Sequence, residues 1–287
     1  MNDNSSDSSL NKLINLSKSD DRIKIVNNDK NRGLLYSRAM GILNSSGEYL
    51  MNVDPDDELE GKDNLEYLYN LTKKNHPEII TFAALFKKYN QIFINKCSIY
   101  TKEEKQPKIF NSIFNKNNII SDYLIWNKLI KRELFLKAYE AFKQEIYDKK
   151  WNYFEDDIWS ILVNKYAKSK ICTNKLIYIY NYNNDSLINN RFGLIEFENL
   201  LYRHNMYKKL FKSTKDEKYL IAEYFFLFNR LKSEKKYLLL LNDAKINNLI
   251  VDNFNNFLSN YNCSREQKKD INIFLDSLTN TVIIHVI

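Results

Sequence analysis

One run constrains this chain more than any other: Gly47-Glu48-Tyr49-Leu50-Met51-Asn52-Val53-Asp54-Pro55-Asp56-Asp57. It reads as a short apolar strand that stops abruptly in three carboxylates around a proline. Tyr49, Leu50, Met51 and Val53 bury well in a sheet, whereas Asp54, Asp56 and Asp57 cannot be buried without partners. A strand that delivers clustered carboxylates to the carboxyl edge of a sheet is how α/β proteins build metal and phosphate sites. The alternative is structural: an acidic turn capping the helix expected after Leu59, since aspartate is favoured at helix starts.

Composition narrows the classes. The 287 residues suffice for one large domain, or one domain with an appendage. Hydrophobic residues at 44% and aromatics at 14% fill a core and exclude a disordered chain. No apolar run reaches the roughly 18 residues of a membrane span, and no secretory signal opens the chain. The net charge of +7 comes from lysines scattered among acids. A nucleic-acid binder concentrates such charge on one face, so no nucleic-acid partner is expected. A solvated surface with some affinity for anionic lipids or phosphates accounts for it equally well. Cys97, Cys172 and Cys263 are isolated and odd in number, which disfavours disulfides and zinc and fits a reducing cytoplasm. His76, His204 and His285 are also isolated. Gly33, Gly41, Gly47 and Gly61 crowd into the first quarter without forming a Gly-rich phosphate loop, which disfavours P-loop and dinucleotide-binding folds.

Element types alternate along the first part of the chain. Leu10 to Leu16 reads as a helix with Leu10, Leu13, Ile14 and Leu16 near one stripe, and Arg22 to Val26 alternates as a strand. Asn31-Arg32-Gly33 opens a helix carrying Leu34, Leu35, Ala39, Ile42 and Leu43, and the Gly47 strand follows. This alternation predicts a mostly parallel sheet covered by helices. Asp63 to Lys74 is a further helix with Asp63 as its cap; Glu78 to Leu85 and Gln91 to Tyr100 are strands. Lys102 to Asn118 is polar and irregular and reads as a mobile loop. Ser121 to Phe142 reads as helical, with Trp126, Leu129, Ile130, Leu134 and Phe135 as core candidates. Asp156 to Ala167 is a helix introduced by Phe154-Glu155, and Lys175 to Tyr182 is a strand. After Asn190 the pattern becomes helical with Lys/Glu pairs until the last few residues, so a boundary is expected there: 1–190 and a helical region 191–287.

Four stretches together resemble the inverting family 2 glycosyltransferases of the GT-A fold. Asn2-Asp3-Asn4-Ser5-Ser6-Asp7 looks like the family's "(D/N)DGSTD" segment, with Asn4 where glycine is usual. Asn31-Arg32-Gly33 followed by Ser37-Arg38-Ala39-Met40-Gly41 is similar to its "N-x-G…AR-x-x-G" helix. Asp54-Pro55-Asp56-Asp57 sits where the family has its DxD motif, and Phe154-Glu155-Asp156-Asp157 matches the later "ED" motif. Trp126-Asn127-Lys128-Leu129, and Tyr180-Asn181-Tyr182 followed by Ser186, are softer matches.

The resemblance implies an α/β, GT-A-like mixed sheet with helices on both faces, plus a C-terminal helical extension. It implies a nucleotide-sugar donor, with a UDP-sugar expected first, and a glycan or lipid-linked acceptor such as polysaccharide biosynthesis uses. A divalent cation, Mn²⁺ or Mg²⁺, held by carboxylate oxygens would stabilise the departing diphosphate. Asp54 and Asp56 take that role, with Asp56 the direct ligand and Asp54 nearer the ribose; Asp57 supports them or caps a helix. The acceptor hydroxyl needs a general base, which the resemblance assigns to Asp156 with Glu155 beside it. Spacing does not separate these two, and an acidic helix N-terminus is the structural alternative for both. Asp3 looks like the acid that contacts the nucleotide base, and Arg38 like the residue that pairs with it or with the nucleotide; an exposed helix arginine is the alternative. Trp126 and Trp159 suit either sugar stacking or core packing.

The family usually begins with a strand, a helix and a second strand ahead of the segment matched by Asn2-Asp3, including a "P-x-Y-N" turn without a counterpart here. The expectation is therefore an N-terminally truncated domain, and it leaves two functions to weigh. One is a cytoplasmic, metal-assisted inverting transferase, with peripheral membrane association open. The other is a catalytically inactive remnant that serves as an interaction subunit. Tyr219 to Leu231 is too apolar for a lone solvated helix and is expected to pack on something.

Overall fold

The segment Ile79 to Ala84 is apolar at consecutive positions, a pattern that suits a strand buried on both faces. The computed structural model bears this out. It describes residues 1–88, 91–95, 105, 109, 124–148, 155–182, 194–212, 227–228, 231–232, 244–260 and 265–279. Ile79, Ile80, Phe82, Ala83 and Ala84 are all buried within β3 (Ile79–Lys88), and Thr81 with them. The other strands are β1 (Tyr49–Met51), β2 (Glu58–Leu59), β4 (Gln91–Asn95), β5 (Lys128–Lys131) and β6 (Lys170–Asn181). Their order is β1-β5-β3-β6-β2, with β4 joining the far half of β3.

Only the β3–β6 pair is parallel among the described strands; β1–β5, β3–β5, β3–β4 and β2–β6 are antiparallel. The sheet is thus mixed, as the family resemblance implies, rather than mostly parallel. The difference has a local cause at β5. Helical spacing of Trp126, Leu129, Ile130 and Leu134 predicts one helix from Ser121 onward. Instead Leu129 and Ile130 fill a gap between two strands, with Ile130 opposite Leu50 on one side and Ile79 on the other. Two ladders of backbone hydrogen bonds override the periodicity, and the helix begins only at Arg132. The strand expected over Arg22 to Val26 also fails to form. It is reduced to a single parallel bridge, Asn2 with Asn27, because one short segment lies opposite it and offers no continuous ladder.

The helices of the first part are α1 (Ser9–Ser19), α2 (Leu34–Leu43), α3 (Asn64–Asn75), α4 (Arg132–Asp148) and α5 (Glu155–Tyr166). The helix predicted at Leu10 to Leu16 forms as α1, but none of its residues is buried, and Ile14 and Leu16 are exposed. Helix α3 starts after Asp63, which makes no side-chain cap bond. Leu68 of α3 packs with Ile80, Phe82, Ala84, Trp126, Ile171, Ile177 and Tyr178 in one apolar cluster. Helices α2 and α5 both pack on α4. Helix α5 is buried nearly all round, from Asp157 to Asn164, as befits a helix in the interior.

The chain divides into two compact units, Met1–Ile113 with Asp122–Asn189, and Phe114–Ser121 with Asn190–Ile287. The second unit contains α6 (Leu194–Lys212), α7 (Ala244–Asn260) and α8 (Arg265–Thr279). Helices α7 and α8 pack together, and Phe228 meets Phe254 and Phe274 edge-on at 6.0 and 5.6 Å. No helix among the described residues is long and apolar enough to cross a membrane. Several expectations lie outside the described residues: Cys97, Cys263, His285, Phe154, Ser186, most of the Lys102 to Asn118 loop, most of Tyr219 to Leu231, and the terminal strand signal.

Both tryptophans singled out as sugar-stacking candidates are core residues. Trp159 is fully buried, with the Phe135 and Phe142 rings edge-on at 5.7 and 4.8 Å. Trp126 stacks on Tyr178 at 4.6 Å. Trp159→Ala is expected to destabilise the fold by about 3–5 kcal/mol, read from chemical denaturation, because it removes a large ring from a close-packed site.

Candidate functional site

The site is assembled from three sequence-distant pieces. The first is the amino-terminal segment. Asn2 is buried; its N–H donates to Val26 O at 2.8 Å, and its carbonyl accepts from Asn28 N at 2.9 Å. The chain then turns through Asn4 at φ 56, in the left-handed region that asparagine tolerates better than most residues. That is a physical account of why asparagine stands where the family prefers glycine. Asp3 is anchored by its carboxylate. Oδ1 accepts from Asn28 Nδ2 and Arg32 N, and Oδ2 accepts from Gly33 N, each at 2.8 Å. Gly33 adopts φ 91, which a residue with a side chain would resist, and α2 starts directly after it. Asp3 thereby fixes the Arg32-Gly33 turn that leads into α2.

The second piece is Arg38, which α2 delivers one turn further on. Its side chain is 7% exposed, so it is not the exposed helix arginine of the alternative reading. Among the described residues it pairs with other carboxylates rather than with Asp3. Nη2 donates to Asp54 Oδ1 at 2.8 Å, and Nη1 donates to Glu155 Oε1 at 3.0 Å. Nη1 also forms an ion pair with Asp156 Oδ1. One guanidinium therefore joins the DxD-like turn after β1 to the acidic start of α5. The planar fork of arginine suits such multiple carboxylate contacts in a way lysine cannot match.

The third piece is the acidic turn itself. Asp57 N donates to Asp54 O at 3.1 Å, closing Asp54-Pro55-Asp56-Asp57 into a turn. Asp57 caps no helix, because β2 intervenes before α3. Its Oδ2 accepts from the Tyr178 hydroxyl at 2.7 Å and its Oδ1 from Asn181 N at 2.9 Å. Asp56 is exposed, and only its backbone oxygen is held, by Asn181 Nδ2 at 3.1 Å. Arg38 engages Asp54 through Oδ1, which leaves Oδ2 for another partner.

Electrostatics differ across the cluster. Burial pushes the Asp57 carboxyl up to about 6, against the lowering bonds from Tyr178 and Asn181 and with the charges of Asp56 and Asp54 adding to it. Burial also raises Glu155, and the Arg38 charge opposes that rise. The Tyr178 phenol is raised chiefly by burial, so it stays protonated and remains a donor. The side chain of Asp156 is 20% exposed and that of Glu155 only 8%. The two neighbours that spacing does not distinguish thus differ in access: Asp156 faces outward more than Glu155. Both occupy the first turn of α5, where the helix dipole favours negative charge.

Sequence reasoning brought Arg38, Asp54, Asp56, Glu155 and Asp156 forward, and the structure gathers Asp54, Glu155 and Asp156 on the guanidinium of Arg38, with Asp56 in the same turn as Asp54. Tyr178 and Asn181 were missed as site residues. Their only signal was the soft match at Tyr180-Asn181-Tyr182, which says nothing about which strand side chains reach the acidic turn. Among the described residues, no three or more His, Cys, Asp or Glu side chains converge to hold a metal by themselves.

Comparison with known proteins follows the same lines. The sequence profile described as "Glycosyl transferase family 2" matches residues 1–138. An uncharacterized glycosyltransferase of Haemophilus influenzae is 29% identical over 164 residues, 56% of this chain and 49% of that protein. A cholesterol galactosyltransferase of Borreliella burgdorferi is 34% identical over 124 residues, 40% of this chain and 34% of that protein. The matches thus span about half of the first relative's length and about a third of the second's. Among solved structures, S. aureus TarS 1–349 in complex with UDP-GlcNAc aligns with a TM-score of 0.52 at 14% identity, over 71% of this chain and 55% of that one. A crystal structure of S. aureus TarS 1–349 aligns with a TM-score of 0.55 at 13% identity, over 96% of this chain and 78% of that one. These likenesses establish the GT-A fold.

Two predictions follow from the charges. Arg38→Met should cost about 3–5 kcal/mol of stability by leaving the buried Glu155 charge without its partner. Adding Glu155→Gln in that background should recover part of the loss, read as a double-mutant cycle in urea. For Asp57, the native state keeps the proton up to about pH 6, whereas the unfolded chain releases it near pH 4, about the ordinary aspartate value. The native state binds more protons in that window, so stability falls as pH rises through it. In chelator-treated protein, Asp57→Asn should flatten this fall in Tm between about pH 4 and 6; superimposable profiles for the two proteins would contradict the shift.

Proposed function

We propose that this chain, whose residues 1–138 match the glycosyl transferase family 2 profile, moves a sugar from a nucleotide-sugar donor to an acceptor hydroxyl with inversion. The donor is proposed to be a UDP-sugar, and the acceptor a glycan or a lipid-linked hydroxyl. One observation carries this reading. Arg38 holds Asp54, on the turn proposed to face the donor diphosphate, together with Glu155 and Asp156, on the helix proposed to face the acceptor. A single displacement needs those two functions side by side, on opposite faces of the sugar carbon.

Asp56 and Asp54 are the residues that would hold Mn²⁺ or Mg²⁺. The donor set fits a hard cation: Asp56 is exposed, Asp54 keeps Oδ2 unused by Arg38, and such ions accept one or two carboxylates when substrate phosphates supply further oxygens. When bound, the ion supplies Lewis-acid neutralisation of the departing diphosphate. Asp156 is proposed as the general base that accepts the acceptor hydroxyl's proton, and its greater access supports it over Glu155. Glu155 then orients Arg38, and Arg38 fixes the carboxylates it touches. Asp3 is proposed to line the nucleotide end by fixing the Asn28 and Arg32-Gly33 turn. The name of the Borreliella relative supports a lipid acceptor, and the UDP-GlcNAc complex of TarS supports a UDP-sugar donor. Action at the cytoplasmic side, reaching a lipid-linked acceptor peripherally, is part of the proposal.

The test is calorimetric titration of UDP with and without Mn²⁺, paired with a transfer assay over a panel of UDP-sugars. Asp56→Ala is expected to abolish the metal-dependent binding. Asp156→Asn is expected to keep UDP affinity while lowering turnover by about 10²–10⁴-fold, the usual contribution of a positioned base. Full turnover in both variants would refute the assigned roles. A folded protein that binds no nucleotide and transfers no sugar would instead favour the interaction-subunit alternative.

A further inference from the structure

We propose that Tyr178 is a positioning residue for the donor site: its hydroxyl sets the Asp54–Asp57 turn in the geometry that binds the diphosphate. The inference rests on the donor-side reading of Asp54 and Asp56. Three carboxylates within four residues repel one another, and Pro55 contributes no N–H to hold the turn. Only one backbone bond, Asp57 N to Asp54 O at 3.1 Å, closes it from within. The rest of the restraint comes from the outgoing end of β6. The Tyr178 hydroxyl accepts from Asp54 N at 3.0 Å and donates to Asp57 Oδ2 at 2.7 Å, so one atom ties both ends of the turn. Asn181 adds its N–H to Asp57 Oδ1 at 2.9 Å and its side-chain amide to Asp56 O at 3.1 Å. With Asp54, Asp57 and the Asp56 backbone secured, the Asp56 carboxylate is left facing solvent.

The tether is stiff because the phenol itself has no freedom. Tyr178 is fully buried, and its ring stacks on Trp126 at 4.6 Å and 26°. Tyr180 stacks on the same indole at 5.7 Å. The aromatic stack therefore fixes the hydroxyl, and the hydroxyl fixes the turn. Misplacing a binding group by even about 1 Å costs on the order of 10²-fold in well-oriented sites. Tyr178 touches neither sugar nor acceptor in this account; it acts through the aspartates.

Tyr178→Phe keeps the ring and its stacking and deletes the one hydroxyl. Tyr67→Phe is the control, since it deletes a comparable bond, Tyr67 to Thr173 at 2.8 Å, elsewhere along β6. Both variants and the parent are titrated with UDP in EDTA and in Mn²⁺, and amide exchange is followed at Asp54. The expected result is at least a tenfold weaker Mn²⁺-dependent UDP affinity in Tyr178→Phe. Its metal-free affinity should stay level with that of Tyr67→Phe, while its Tm falls further because two bonds are lost rather than one. Equal Mn²⁺-dependent affinity in the two variants would overturn the proposal. Should the parent itself show no metal-dependent UDP binding, the donor-site reading fails, and the exchange measurement decides the positioning role alone. Exchange at Asp54 at least tenfold faster in Tyr178→Phe than in Tyr67→Phe sustains the tether; equal exchange refutes it.

Discussion

The buried guanidinium of Arg38 is the interaction on which the site depends. An arginine this enclosed has given up water, and that cost is recovered only with several well-placed carboxylates around it. Asp54, Glu155 and Asp156 provide them. The three acids come from a turn after an edge strand and from the start of an interior helix, and without a cation between them they would repel. Arg38 makes their proximity possible and fixes it. The surrounding helices serve the same end: α2 carries Arg38, α5 carries Glu155 and Asp156, and both pack on α4.

A second layer of order comes from the sheet. Strand β3 is buried on both faces from Ile79 to Ala84, and β6 runs parallel beside it as far as Asn181, so the end of β6 is tied into the sheet. From that end Tyr178 and Asn181 reach the acidic turn. The turn would otherwise be a short, strongly charged loop with little to restrain it. Acidic residues are thus placed by two mechanisms: ion pairing on the Arg38 side, and neutral hydrogen-bond donors on the β6 side. Both limit how far the carboxylates can separate before any ligand arrives. Such preorganisation spares the site from reorganising when a ligand binds.

Much of the site was legible because its residue types are chemically demanding. Asp54 and Asp56 stood out as carboxylates at the end of an apolar strand, where burial without partners is costly, whereas Glu155 and Asp156 came forward through the family resemblance. Arg38 was legible as a residue of interest, but its neighbours were not. Helical spacing indicates the face it occupies and says nothing of what lies across from that face. Tyr178 was invisible for a similar reason: an aromatic on an alternating strand is expected in any sheet. The elements were read well where local signals agreed, as in α2, α3 and α5. They were misread at Lys128–Lys131, where a strand of four residues carries too short a pattern to compete with the helix that follows it.

The sequence by itself determined the α/β alternation of the first part, the turn after β1 and the acidic start of α5. Each of these rests on local chemistry: strand or helix periodicity, charge at a boundary, or glycine and asparagine at turns. Tertiary structure alone decided that Arg38 is buried among acids, that Trp126 and Trp159 are core residues, that Asp156 is more accessible than Glu155, and that Tyr178 holds the acidic turn. These are distances between residues dozens to more than a hundred positions apart. They follow from which strand lies beside which, and β5 shows that a few long-range backbone hydrogen bonds can set that order against the local pattern.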